Sequence, residues 1–247
     1  MPIPVGDDNS DRRTTPVVNY ILIALNIFVF IFWQQWGFDT HFTYAFVTVP
    51  KEILTGTDIV TPSQQVTDAI TGQSFELPGL QHTPIPVFFT LITSMFLHGG
   101  IAHIVGNMLY LWIFGDNVED ALGHFRYLIF YLLCGVLAGL TQVFITLIMG
   151  QDLLIPSLGA SGAISGVLAA YVVLFPGKGI RVWFIIFTAT IPALIVVGLW
   201  FLFQVLNGLG TLGGEETGGV AYAAHIGGFI FGLLLVRWFA KDFRSYR

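Results

Sequence analysis

Gly159-Ala160-Ser161-Gly162-Ala163-Ile164-Ser165-Gly166 opens an apolar segment that runs to Phe175 and stops at Pro176-Gly177. A serine among small residues at the head of such a segment has two uses. One is packing: Gly162 and Gly166, four apart, form with Ser161 and Ser165 a stripe that lets a neighbouring helix come close. The other is a nucleophile, which requires a base from elsewhere in the chain. The choice between them depends on what the other segments bring to the same depth.

The surroundings are those of a bilayer. With 55% hydrophobic and 10% charged residues and a mean hydropathy of +0.77, the chain is too apolar for a soluble domain of its length. A net charge of −5 without a basic cluster argues against nucleic acid as a partner. Cys134 is the lone cysteine and forms no internal disulfide. The stretch before Val17, carrying Asp7, Asp8, Asp11, Arg12 and Arg13, lacks a signal-peptide pattern, so the first apolar stretch reads as a retained span.

Working outward from Ser161, six stretches are long enough to cross the hydrocarbon core as helices. They are Val17 to Trp36, Leu97 to Phe114, Tyr127 to Met149, Leu158 to Phe175, Val182 to Leu206 and Val220 to Phe239. The expected fold is an all-α polytopic bundle of six transmembrane helices. A polar cytoplasmic stretch (1–16) precedes the membrane domain (17–239), and a basic cytoplasmic tail (240–247) follows it. One long outer loop, 37–87, is broken by Pro50, Pro62, Pro78, Pro84 and Pro86. The Gly-rich link from Asn207 to Gly219 reads as a mobile lid.

Basic residues set the orientation, because Lys and Arg collect in cytoplasmic loops. An even number of spans puts Arg12, Arg13, Arg126, Lys178, Arg181, Arg237, Lys241, Arg244 and Arg247 on one side and only Lys51 on the other. Both termini are therefore expected inside, and the second, fourth and sixth spans run from outside to inside.

Their outer turns carry the polar residues. His103 and Asn107 lie four apart on one face of the second span, Ser161 heads the fourth, and His225 sits just over a turn into the sixth. At 1.5 Å per residue, Ser161 stands about 22 Å above the inner boundary and His225 about 18 Å. The two depths agree to within a turn. Gly228 and Gly232, below His225, mirror Gly162 and Gly166 below Ser161, which licenses close approach of the two helices.

Residue type then fixes candidate roles. Ser161 Oγ needs a base to take its proton, and His225 is the histidine placed to serve. Attack on a carbonyl creates an oxyanion, for which the Asn107 amide, His103 and the Ser161 backbone N–H are candidate donors. No carboxylate occurs in the outer half of any span, so the unit is a Ser/His dyad. His98, at a helix entrance, reads as interfacial. A zinc site using His98, His103 and His225 is the rival, but His98 and His103 fall on different faces and no carboxylate stands near.

These residues carry a family resemblance. His98-Gly-Gly-Ile-Ala-His103 with Asn107, Gly115-Asp-Asn-Val-Glu119-Asp-Ala-Leu-Gly123, Gly159-Ala-Ser161-Gly162, and Ala224-His225 with Gly228 and Gly232 occur in an order and spacing that resembles the rhomboid intramembrane serine proteases. The resemblance spans all six expected helices. It implies Ser161 as nucleophile, His225 as general base, and His103 with Asn107 lining the oxyanion site. It further implies single-span membrane proteins as substrates, cut near the outer face with no cofactor or metal.

Two positions depart from many relatives. Phe89-Thr90 stands where a Trp-Arg pair is common, and Ser165 where an aromatic stacks under the histidine, leaving open what orients His225. The fifth span, with Pro192, Trp200, Phe201 and Phe203, is the expected movable gate against the second. Other readings are a catalytically silent relative that binds or escorts membrane proteins, a metal-dependent membrane hydrolase, and a transporter, for which no repeat is visible. The charge bias suits a bacterial inner membrane, with the site opening to the exterior.

Overall fold

Most of the long apolar runs fold as helices in the computed structural model, which describes residues 3–67, 74–212 and 220–240. The basic tail from Lys241 lies outside these residues, as does the expected lid beyond Leu212. The long helices are α1 (Val17–Phe28, continued by a π turn at Val29–Trp33), α5 (Ile101–Leu122), α6 (His124–Ile148), α7 (Ser161–Leu174), α8 (Ala193–Leu212) and α9 (Tyr222–Phe239). Short helices α2 (Thr40–Phe46), α3 (Pro50–Thr55) and α4 (Thr90–Thr93) lie between α1 and α5, together with an antiparallel hairpin, β2 (Gln64–Thr67) and β3 (Ser74–Leu77).

Among the described residues, three helices are long and apolar enough to cross a membrane: α6, α9 and residues Ala193–Gly210 of α8. A fourth candidate is the pair Val87–Phe96 and Ile101–Leu122, bent by 82° at its break. Val17–Trp33 and Ser161–Leu174 are apolar but shorter.

The chain is predominantly helical, as expected of an all-α membrane fold, and the described residues add five short strands. β1 (Ile3–Asp7), β4 (Gly179–Trp183) and β5 (Thr188–Pro192) form an antiparallel sheet in the order β1-β4-β5. The stretch Val182 to Pro192, expected as the start of the fifth span, is part of this sheet and its turn. Its run of Val182, Ile185, Ile186, Thr188, Thr190 and Ile191 is β-branched, which favours a pleated strand over a helix. Pro192, without an N–H, ends the sheet and admits a helix start at Ala193. The polar N-terminal stretch is thereby tied to the helices, with Ile3 opposite Trp183 and Asp7 opposite Ile180.

The second expected span is also displaced. Gly99-Gly100 interrupts the helix before Ile101, and Gly123, at φ +81°, stops it after Leu122. Eight more residues than expected are thus helical beyond Phe114, because the motif Gly115 to Leu122 is a helical lock. Glu119, fully buried, accepts the backbone N–H groups of Val18 (2.9 Å) and Asn19 (2.7 Å), capping α1 from a different helix. Asn19 Nδ2 donates to the Leu111 carbonyl at 3.0 Å, and the Tyr127 hydroxyl donates to Asn19 Oδ1 at 2.8 Å. A Cβ at position 115 would collide with Asn19, so only glycine lets α1 and α5 meet there.

α7 sits at the centre. Every residue from Gly162 to Tyr171 is buried, as expected of a helix apolar all round. α6, α9 and α5 surround it, and Phe114, Tyr127, Phe130, Tyr131 and Tyr171 fill the space beneath.

Candidate active site

The first turn of α7 begins at Ser161 with no side-chain cap, so its leading backbone N–H groups have no intrahelical partner. Gly159, at φ +121°, turns the chain into that helix, and its N–H donates to the Ser94 carbonyl at 2.9 Å. A Cβ at position 159 would lie 2.9 Å from both Cε1 and Nε2 of His103. Glycine therefore serves twice here, for the left-handed backbone and for the imidazole against it.

α9 approaches α7 backbone to backbone. A Cβ on Gly232 would lie 2.6 Å from the Gly166 carbonyl oxygen, and one on Gly228 would lie 3.0 Å from the Gly162 carbonyl carbon and nearer still to its oxygen. On the other side of α7, Cβ atoms at Gly162 and Gly166 would meet Ala138 and Cys134 of α6 at 2.7 and 2.6 Å. The small-residue stripe thus serves two neighbours at once. At the top of α9, Gln142 of α6 accepts the Ala224 N–H at 3.2 Å, fixing the residue before His225.

This packing brings the two side chains together: His225 Nε2 lies 2.7 Å from Ser161 Oγ. His225 Nδ1 lies 2.7 Å from Oε1 of Gln204 on α8. A side-chain carbonyl oxygen only accepts, so Nδ1 carries the proton and Nε2 presents its lone pair to the serine hydroxyl. Ser165 is elsewhere engaged, its Oγ donating to the Ser161 carbonyl at 2.6 Å.

His103 and Asn107 stand in the first two turns of α5. The Gly99 N–H donates to His103 Nδ1 at 3.3 Å, which leaves the His103 proton on Nε2, the nitrogen beside Gly159. The Asn107 amide nitrogen is buried without a hydrogen-bond partner, an unspent donor of the sort that awaits an acceptor. His98, expected at the interface, is instead fully buried, its ring 5.1 Å from that of His103 and edge-on to it. Its backbone is clamped by Gln34, which accepts the His98 N–H at 2.9 Å and donates to the His98 carbonyl at 3.0 Å. Among the described residues no three His, Cys, Asp or Glu side chains cluster as metal ligands would.

Gln34 and Gln204 are the site residues that sequence reasoning missed. Each is an amide buried in an otherwise apolar stretch, Phe32-Trp33-Gln34 and Leu202-Phe203-Gln204. The cost of an unpaired polar group at such a position was the available signal.

A rhomboid domain model matches residues 86–241, which contain the serine, all the histidines discussed above and Asn107. The chain is 30% identical to mitochondrial rhomboid protein 1 of Saccharomyces cerevisiae over 169 residues, 68% of this chain and 46% of that protein. It is 28% identical over 181 residues to the mitochondrial presenilin-associated rhomboid-like protein of Mus musculus, covering 66% of this chain and 44% of the relative. It is 34% identical to rhomboid protease GluP of Bacillus subtilis over 146 residues, 59% of this chain and a quarter of that protein. The match therefore spans less than half the length of these relatives. Their mitochondrial and bacterial origins select no particular membrane for this chain. With the helices long and apolar enough to cross a membrane, the interrupted histidine segment and the glycine-seated serine all falling within the matched region, the chain is an integral membrane protein of the rhomboid family.

Proposed function

We propose that this protein is an intramembrane serine endopeptidase that cleaves single-span membrane proteins near the outer face of the bilayer. The observation that carries the proposal is the 2.7 Å approach of His225 Nε2 to Ser161 Oγ from separate helices, within the reach a general base needs. In this reading α1, α5, α6, α7, α8 and α9 are the six spans. Both ends of the chain lie on the cytoplasmic side, and the dyad opens toward the other.

In the reaction, Ser161 Oγ attacks the scissile carbonyl carbon while its proton passes to His225 Nε2. The carbonyl oxygen becomes an oxyanion, received by the Asn107 amide, His103 Nε2–H and the Ser161 backbone N–H. Collapse of this intermediate breaks the C–N bond, and His225 returns the proton to the leaving amine, leaving an acyl-serine. Water, deprotonated by the same nitrogen, attacks the ester and releases the carboxylate product with Ser161 regenerated. Polar side chains at this depth are packed within the helix bundle or face water, since unsatisfied polar groups facing lipid are too costly.

The test is cleavage of a panel of single-span proteins co-reconstituted in vesicles. The wild type should cut at least one, and neither Ser161→Ala nor His225→Ala should. Cleavage that survives either substitution would refute the dyad. A wild type that binds these spans without cutting any would favour the silent, escorting reading.

A further inference from the structure

We infer that Gln204 is the positioning residue for His225, and that its place on α8 makes assembly of the dyad depend on how that helix is seated. The inference rests on the protease reading and adds to it the element that orients the base.

An imidazole can act on Ser161 through Nε2 only if its proton is on Nδ1 and its ring is held in plane with the hydroxyl. Many serine hydrolases obtain both from a carboxylate on the far nitrogen. Among the described residues, the group bonded to His225 Nδ1 is Gln204 Oε1, at 2.7 Å. Gln204 is 5% exposed, so water does not compete for its oxygen. Ser165 gives no help, its hydroxyl being spent on the Ser161 carbonyl. The aromatic neighbours flank rather than stack: Trp200 lies 6.2 Å from the His225 ring centre, and Tyr222 6.3 Å at 78°.

Trp200 and Gln204 are four apart and so share one face of α8. That face reaches His225, while Leu194, Ile195, Leu199, Leu202, Phe203 and Leu206 are exposed on the rest of the helix. α8 is the least buried of the three long apolar helices. Phe201 holds it to α9 by stacking on Phe229 at 4.2 Å, and the Trp200 ring lies 6.5 Å from that of Tyr110 on α5. Parting α5 from α8 to admit a substrate helix separates the last pair and draws Gln204 Oε1 away from Nδ1. The base then loses its fixed tautomer until α8 returns, so chemistry follows reclosure rather than entry.

The experiment uses full-length protein in detergent and a fluorophosphonate probe small enough to need no helix displacement. Labelling kinetics are resolved into a maximal rate and a half-saturating concentration. Gln204→Leu keeps the volume and removes the acceptor, and is expected to lower the maximal rate about tenfold with half-saturation unchanged. Gln204→Glu keeps an acceptor and should stay within about threefold of wild type. Phe201→Ala should slow labelling in the same way, and the double variant Phe201→Ala/Gln204→Leu should be no slower than Gln204→Leu alone. Nitrogen NMR of histidine-labelled protein, assigned with His225→Ala, should show Nδ1–H in wild type and a tautomer mixture in Gln204→Leu. Equal maximal rates and unchanged spectra in Gln204→Leu overturn the positioning role. A wild-type rate in Phe201→Ala overturns the dependence on α8. A wild type that takes no label, yet loses its Nδ1–H signal in Gln204→Leu, overturns the protease reading while leaving the Gln204 contact standing.

Discussion

Replacing Gly228 by alanine is the most direct way to spoil the site without touching a reacting group. The new methyl would stand 3.0 Å from the Gly162 carbonyl carbon and closer to its oxygen. The obstacle is backbone in the first turn of a buried helix, so it cannot rotate aside. To restore an ordinary contact, α7 and α9 must part by about 1 Å, at an overpacking cost of about 1–3 kcal/mol. Gly162 follows Ser161 directly, and Gly228 lies one turn below His225. The 2.7 Å dyad contact would stretch to about 3.7 Å, past hydrogen-bonding range. A displacement of about 1 Å at a reacting pair costs on the order of a hundredfold in rate. Fluorophosphonate labelling of Gly228→Ala should fall by that factor, while far-UV circular dichroism stays helical. Gly198→Ala, whose methyl meets nothing within 4 Å, serves as the control and should label like wild type. Wild-type labelling by Gly228→Ala would mean that the interface does not set the serine–histidine distance.

Three further outcomes are expected. Asn107→Ala should reduce the maximal labelling rate about a hundredfold with little change in half-saturation, because its amide nitrogen has no hydrogen-bond partner in the resting structure and in the proposed mechanism meets the oxyanion only as it forms; equal loss in both parameters would assign it to binding. Glu119→Ala strands the N–H groups of Val18 and Asn19, at a cost of about 2–3 kcal/mol, so the thermal midpoint should drop by several degrees while folded protein below it still labels. Burial lifts the Asp7 carboxyl above the usual range against the opposing pull of Tyr171, Lys178 and Asn117. A raised carboxylate pKa contributes stability that is full below the unfolded value and is lost as pH rises through the folded one. Melting between about pH 4 and 7 should therefore show wild type weakening on the alkaline side relative to Asp7→Asn; parallel curves would refute that sign.

The Ser161 and His225 pairing was legible because depth along a helix is arithmetic and glycine spacing reports backbone approach. The His103 and Asn107 turn was legible for the same reason. The sheet was not. Hydropathy alone cannot distinguish a span from the β-branched run at 182–191, and the partner that makes it a sheet, β1, lies far away in a polar stretch. Helix ends were misplaced where a glycine, not a change in hydropathy, does the stopping, as at Gly100 and Gly123. The burial of His98 escaped because its cover is Gln34, contributed by the end of a different helix. Gln204 was hidden in plain view among aromatics, since its meaning depends on which way α8 is rotated.

The measurement that bears most directly on the account is peptide mapping of the fluorophosphonate adduct by mass spectrometry in wild type and His225→Ala. One adduct on Ser161 in wild type and none in His225→Ala is the predicted result. An adduct on Ser165 or Ser94, or one on Ser161 that persists without His225, would contradict it.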